Sequence, residues 1–277
     1  MKHVLDRIAA QRYNPNAFEE WEEYRRQLTD IVINGMPVGS TLAVYGAGRC
    51  NNIDLGRLAD HFSEITLLDC DEAAMQAALA RYHLAGESGI RAHCFDFVGI
   101  TEYDYEKLAF NMSEALESGQ EPETAMRPVV EAFYASHESF IYRSPRYDAV
   151  LAAGLHSQLN QTAVSVWRML CADRGKWLDP VCDPVCNLFH EWTYPIIARF
   201  NQLLFYSAKH KAFIAYEQSI QGREGSIQGA MQLIEDLQRR IEQRQLSLNG
   251  QHKLIWPQSR ANGMTLEMIV DELVIRK

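Results

Sequence analysis

The run Thr41-Leu42-Ala43-Val44-Tyr45-Gly46-Ala47-Gly48-Arg49-Cys50-Asn51-Asn52 constrains this chain more than any other segment. An apolar run stops abruptly at Gly-Ala-Gly, and a helical pattern starts near Ile53-Asp54-Leu55. Strand, tight glycine turn and helix in that order make a βα unit, in which backbone amides approach a nucleotide-like ligand. A lone Gly-x-Gly is common. Here Leu67-Leu68-Asp69 follows about 20 residues downstream, the distance at which a ribose-binding carboxylate belongs in such units.

The rest of the chain alternates in the same way. Periodicity predicts strands at 41–45, 64–68, 90–95, 147–152 and 212–217, with helices at 53–62, 72–82, 161–171, 188–208 and 226–245. Asp71 is placed to cap the helix that follows the second strand. Two final strands, 252–256 and 266–276, flank a turn-rich loop, so they are expected to pair antiparallel. This alternation implies an α/β fold with a mostly parallel sheet covered by helices on both faces. Residues 1–37 form an expected N-terminal helical extension, with Phe18, Trp21, Tyr24, Leu28 and Ile31 at three- and four-residue steps. Residues 101–146 form a helical insert, split at Gly119-Gln120-Glu121-Pro122. Both additions are expected to pack over the carboxyl edge of the sheet, where ligands bind.

Bulk properties narrow the function. The chain has 277 residues, 47% apolar and 23% charged, an ordinary globular composition. A net charge of −9 argues against non-specific binding to nucleic acid or an anionic membrane. Arg239, Arg240 and Arg244 could form a local basic patch, but a solvated helix face suits them better. No apolar run approaches the roughly 20 residues that span a bilayer. Cys50, Cys70, Cys94, Cys171, Cys182 and Cys186 are scattered, as reduced thiols are, and a cytoplasmic protein is expected.

With these motifs in order, the chain resembles a class I S-adenosylmethionine-dependent methyltransferase. The resemblance covers residues 38–277 and leaves 1–37 and 101–146 as additions. It implies a seven-stranded Rossmann-like sheet with an antiparallel last strand. It also implies transfer of a methyl group from S-adenosylmethionine to a small-molecule or peptide acceptor, with S-adenosylhomocysteine as product. Gly46-Ala47-Gly48 looks like the family's glycine motif. Asp69 matches the acid that bonds the ribose hydroxyls, and Asp96-Phe97 matches the segment that contacts the adenine. Tyr147 to His156 looks like the fourth strand and the loop beside the methyl group. On that basis the cofactor-contacting candidates are Tyr45, Gly46, Ala47, Gly48, Asn51, Asp69, Cys70, Asp96, Phe97, Ala153 and Gly154. Two positions depart from the family pattern. Val44 stands where a carboxylate is frequent, and Cys50 stands where a third glycine is usual.

His156 is the candidate catalytic residue, as a base or an orienting group for the nucleophile. Its alternative is a hydrogen-bonded histidine in the pocket wall. Tyr45 and Phe97 have core packing as their alternative. Cys182, Cys186 and His190 invite a metal reading, but Pro184 breaks their shared helical face, so no metal is expected. The segment through Glu191, Trp192 and Tyr194 reads as a pocket wall or as an amphipathic helix on the sheet. Two rival functions remain open: a nucleotide-cofactor oxidoreductase, disfavoured by Asn51 at the third small position, and a non-catalytic protein that keeps the methyl donor.

Overall fold

The computed structural model describes residues 8, 14–137, 144–176, 183–220, 228–259 and 263–276. The chain divides into two compact units. The larger is built from Asn14–Phe97, Arg143–Ser157 and Ala198–Lys277; the smaller from Met1–Tyr13, Val98–Tyr142 and Gln158–Ile197.

The larger unit holds a seven-stranded sheet. Its strands are β1 (Thr41–Tyr45), β2 (Glu64–Asp69), β3 (Ile90–Cys94), β4 (Tyr147–Ala153), β5 (Ala208–Ile220), β6 (Leu246–Ser259) and β7 (Met264–Ile275). They lie in the order β3-β2-β1-β4-β5-β7-β6. The first five run parallel, while β7 is antiparallel to both β5 and β6. The winding reverses between β1 and β4, so the carboxyl ends of those neighbours form the crevice where ligands bind in open α/β sheets.

Alternation along each strand decides what covers each face. Leu42 and Val44, Ile65 and Leu67, Ala149 and Leu151, Phe213 and Ala215, and Met268 and Val270 belong to one buried cluster. Helices α1 (Ala17–Glu20), α2 (Glu22–Gly35), α3 (Leu55–His61) and α4 (Glu72–Arg81) belong to the same unit. α2 adds Tyr24, Leu28 and Val32, one per turn, to that cluster; α3 adds Leu55 and Leu58, and α4 adds Met75 and Ala78. Each large apolar side chain buried this fully contributes about 1.5–3 kcal/mol. Asp54 starts α3 by accepting the Arg57 amide, and Asp71 starts α4 by accepting the Ala74 amide, as expected of Asp71.

The smaller unit is helical: α5 (Glu102–Glu117), α6 (Pro122–Ala135), α7 (Gln161–Asp173) and α8 (Pro184–His190). Thr101 and Asp104 form a reciprocal capping box on α5, and Glu121 caps α6 just ahead of Pro122. Asn160 ties these helices together. Its amide accepts the Tyr134 hydroxyl proton and donates to the Phe189 carbonyl and the Thr193 hydroxyl. Trp192 stacks on Tyr134 at 5.1 Å, so this aromatic pair belongs to the packing of the helical unit.

Several expected boundaries move. α2 lies on a face of the sheet, where it forms part of the core, and not over the sheet's end. The single helix expected over 188–208 is two, α8 and α9 (Thr193–Ser207). Asp183 and Pro184 start the first, and Pro195 sits in the first turn of the second, where its missing N–H costs nothing. β5 begins at Ala208 because it pairs with β4 from Tyr147 onward. β6 and β7 pair antiparallel as expected, over a longer span, since each carries a ladder through most of the other's length. The charged segment is helix α10 (Gln228–Glu242). Cys182 and residues 1–7 and 9–13 of the N-terminal extension lie outside the described residues, as do 138–143 of the insert. Among the described residues no helix is long and apolar enough to cross a membrane, and no cluster of His, Cys, Asp or Glu could hold a metal ion.

Candidate active site

The site begins where β1 ends. Gly46 and Gly48 adopt φ of +70° and +47°, backbone that side chains with a Cβ rarely adopt. Leu155 also leaves no room at Gly46: a Cβ there would stand 3.0 Å from its methyl group. The amides of Gly46 and Ala47 both donate to the Leu68 carbonyl, at 2.8 and 3.1 Å, pinning the turn to β2. Cys50 takes φ +51°, so the position of the usual third glycine keeps a glycine-like backbone despite its side chain. That conformation costs a non-glycine residue about 1–2 kcal/mol. Val44 is buried on the helix-covered face of the sheet, away from any polar role.

Asp69 ends β2 and closes the turn. One carboxylate oxygen accepts the Gly48 amide at 2.8 Å and the other accepts the Asp71 amide at 2.9 Å. Burial raises its carboxyl above the usual range, and these two amides oppose that rise. A carboxylate oxygen accepts more than one hydrogen bond, so Asp69 keeps acceptor capacity for a diol. Asn51 is committed elsewhere: its side-chain oxygen accepts Arg81 at 2.8 Å. Cys70 and Cys94 are exposed at the ends of β2 and β3, unlike the buried Cys50, Cys171 and Cys186. Asp96 is half-buried just beyond β3. Phe97 packs 5.6 Å from Tyr45 and 5.4 Å from Phe200. Tyr45 is wholly buried, its hydroxyl donating to Ser207 at 2.8 Å and lying 3.1 Å from the Ser144 hydroxyl.

The β4 loop, 154–157, carries the remaining chemistry. The Ala153 carbonyl accepts from Asn52 at 3.4 Å, and the Gly154 amide donates to Ala215 at 2.8 Å. His156 is 1% exposed and packs against Phe200. Its Nε2 lies 2.9 Å from Asn201 Oδ1, while Asn201 donates its amide to Asp236 at 2.8 Å. Asp236, fully buried, also binds Arg239 and Arg240. These contacts fix a tautomer. Asp236 can only accept, so Asn201 turns its NH2 toward it and its oxygen toward His156. Nε2 must therefore carry the proton, which leaves Nδ1 with a lone pair. Nδ1 is buried and has no hydrogen-bond partner among the described residues. Burial pushes the imidazole down to about 4, against smaller opposing contributions from Asn201 and Asp236, so the ring is neutral at pH 7. Arg239 and Arg240 both pair with Asp236, Arg240 largely buried and Arg239 still half exposed.

One group escaped the sequence reading. Glu217, on β5, is 3% exposed, accepts the Ser157 hydroxyl at 2.9 Å on one oxygen and has no partner for the other among the described residues. The signal was present in the alternation Phe213-x-Ala215-x-Glu217, which ends an apolar column on a carboxylate. A second cleft of about 440 Å³, lined by Asp30, Lys211, His252 and Glu272 among others, lies apart from these groups. Its Lys211 and Glu272 are paired with each other.

No protein-family model and no curated protein sequence matches this chain. Solved structures do. The N-methyltransferase NodS from Bradyrhizobium japonicum, solved with S-adenosyl-L-homocysteine, is 12% identical. The overlap covers 95% of this chain and 89% of NodS, with a TM-score of 0.47. Magnesium protoporphyrin IX methyltransferase ChlM from Synechocystis is 10% identical over 93% of this chain and 86% of its own, with a TM-score of 0.47. The strand order and direction of this chain define its class: a seven-stranded, Rossmann-like α/β sheet whose β7 runs antiparallel to its neighbours.

Proposed function

We propose that this protein transfers a methyl group from S-adenosylmethionine to a small-molecule acceptor and releases S-adenosylhomocysteine. The observation that carries this reading is the turn 46–50, clamped by Asp69 at the switch point between β1 and β4. Its conformation survives the substitution of Cys50 for glycine. The donor would lie along Gly46, Ala47 and Gly48, with Asp69 holding its ribose and Asp96 and Phe97 beside its adenine. Ala153 and Gly154 would line its amino-acid end. When bound, the donor supplies an already activated sulfonium methyl. The chain's own task is then to align a nucleophile and exclude water. His156 contributes a neutral imidazole whose Nδ1 lone pair can hold or orient the acceptor. The acidic balance of the chain supports a small acceptor over a polyanion.

Titration calorimetry tests the reading directly. The wild type is expected to bind S-adenosylmethionine and S-adenosylhomocysteine but not NADH. Gly48→Val, which cannot hold φ +47° without strain, is expected to lose binding of both the donor and S-adenosylhomocysteine. A folded wild type that binds neither would overturn the proposal, and NADH binding in their place would favour an oxidoreductase.

A further inference from the structure

Alternation along β5 sends Phe213, Ala215 and Glu217 to one face, and the first two join the apolar core beneath α2. A third apolar residue belongs at 217. A carboxylate stands there instead, 3% exposed, with one oxygen on Ser157 and the other without a partner among the described residues. Burial raises its carboxyl, and the groups that oppose the rise, its own backbone amide and Ser157, are both neutral. A buried carboxylate with no counter-cation is costly unless something cationic arrives.

What surrounds it suits a cation. A Cβ placed on Gly154 would lie 3.6 Å from Glu217 Oε1 and 3.6 Å from the six-membered ring of Trp256, so carboxylate and indole flank the same point. Trp21 meets Trp256 edge-on at 4.9 Å, and Tyr24 stacks on it at 5.7 Å. The indole N–H groups of Trp21 and Trp256 are also buried without partners among the described residues. Trp21 and Ser157, at the margins of the cluster, are half-buried, whereas Glu217, Tyr24 and Trp256 are buried. Aromatic faces beside a carboxylate recognise an ammonium group, through the ring quadrupole and a charge-assisted hydrogen bond.

The position of the cluster separates it from the glycine turn. β5 lies two strands from β1, about 10 Å across the sheet. The β4 loop joins the two: Leu155 packs over Gly46, Gly154 leaves open the space beside Glu217, and Ser157 donates to Glu217. We propose that Glu217, with Trp256, Trp21 and Tyr24, recognises the protonated amino group of a small amine, and that this amine is the methyl acceptor. The second half rests on the function proposed above; the first does not. For transfer, the ammonium gives one proton to the Glu217 carboxylate. The freed lone pair then bonds the methyl carbon, the carbon–sulfur bond breaks, and its electron pair stays on sulfur as the thioether.

The test titrates the full chain with methylamine, benzylamine and tryptamine and with the neutral isostere benzyl alcohol. Tryptophan fluorescence is read for methylamine, benzylamine and benzyl alcohol, and calorimetry for tryptamine, in wild type, Glu217→Gln and Trp256→Phe. Circular dichroism confirms folding of each variant. At least one amine is expected to bind saturably and tenfold or more tighter than benzyl alcohol. Glu217→Gln, which keeps the Ser157 contact, is expected to lower amine affinity at least tenfold and to leave S-adenosylhomocysteine affinity unchanged. Trp256→Phe, which keeps a ring, is expected to lose less. Three results would overturn the site: no saturable binding by any amine, equal binding of benzyl alcohol, or unchanged amine affinity in Glu217→Gln. Loss of S-adenosylhomocysteine affinity in that variant would overturn the acceptor assignment, since the carboxylate would then serve the donor. Glu217-dependent amine binding in a wild type blind to S-adenosylhomocysteine would uphold the amine site and overturn methyl transfer alone.

Discussion

The glycine turn and the β4 loop face the same edge of one sheet, yet they handle polar atoms in opposite ways. In the turn, the amides of Gly46, Ala47, Gly48 and Cys50 all have acceptors inside the protein, and Asn51 is taken by Arg81. Around the β4 loop, His156 Nδ1, Glu217 Oε2 and two indole N–H groups are buried with none among the described residues. Native interiors satisfy nearly all buried polar groups, so unmet ones concentrate where a ligand completes the structure. The turn is thus a shape held rigid before anything binds. The loop gathers buried groups that lack partners among the described residues, which the proposed acceptor would supply.

The strongest way to break this contrast is to remove what holds the loop's histidine. Asp236→Ala leaves Arg239, Arg240 and the Asn201 amide without their common buried acceptor. The expected loss is about 3–5 kcal/mol in urea unfolding. A loss below about 1 kcal/mol would show that Asp236 does not anchor His156.

The next test uses pH. The folded His156 imidazole lies at about 4, below its ordinary value of 6.5. The unfolded chain then binds a proton that the native state refuses across this window. His156 therefore lowers stability as pH falls below 6.5, by up to ~1.4 kcal/mol per pH unit, until the native ring also protonates near 4. Glu217 and Asp69, both raised, act in the opposite sense, favouring the fold as pH falls. The His156 part is isolated as the difference between wild type and His156→Gln. That difference should shrink or reverse in favour of the variant between pH 7 and pH 4, and a pH-independent difference would place the ring in solvent.

On the turn side, Asp69→Ala strips acceptors from the Gly48 and Asp71 amides. About 1–3 kcal/mol of stability should be lost, together with donor affinity. Full retention of donor affinity would mean that Asp69 serves the turn alone. Cys50→Gly should have the smallest effect. Relief of the φ +51° backbone, about 1–2 kcal/mol, is offset by loss of a fully buried side chain. Its melting temperature should shift by only a few degrees in either direction, with donor affinity intact.

Much of the sheet was readable because its signals are local. Alternation marked β1, β2 and β4 within a residue or so, and Asp71 announced the start of α4. The misses came where neighbours override local pattern. β5 and β6 extend well beyond their apolar centres because β4 and β7 offer backbone partners along their full length. α8 and α9 merged in the reading because both are apolar, and only Pro195 marks the break. At the site, His156 stood out by following the fourth strand, but its tautomer depends on Asn201 and Asp236, 45 and 35 residues further along in successive steps.

By itself, the amino-acid order determined the glycine turn, its acid at Asp69 and the α/β alternation. Each of these is a matter of backbone freedom or side-chain period over a few residues. The tertiary structure alone decided that Trp21, Gly154, Glu217 and Trp256 share one corner, and that the histidine of the β4 loop is neutral with a free Nδ1. Burial and desolvation are properties of the assembled sheet and its helices. No stretch of sequence carries them until distant segments meet.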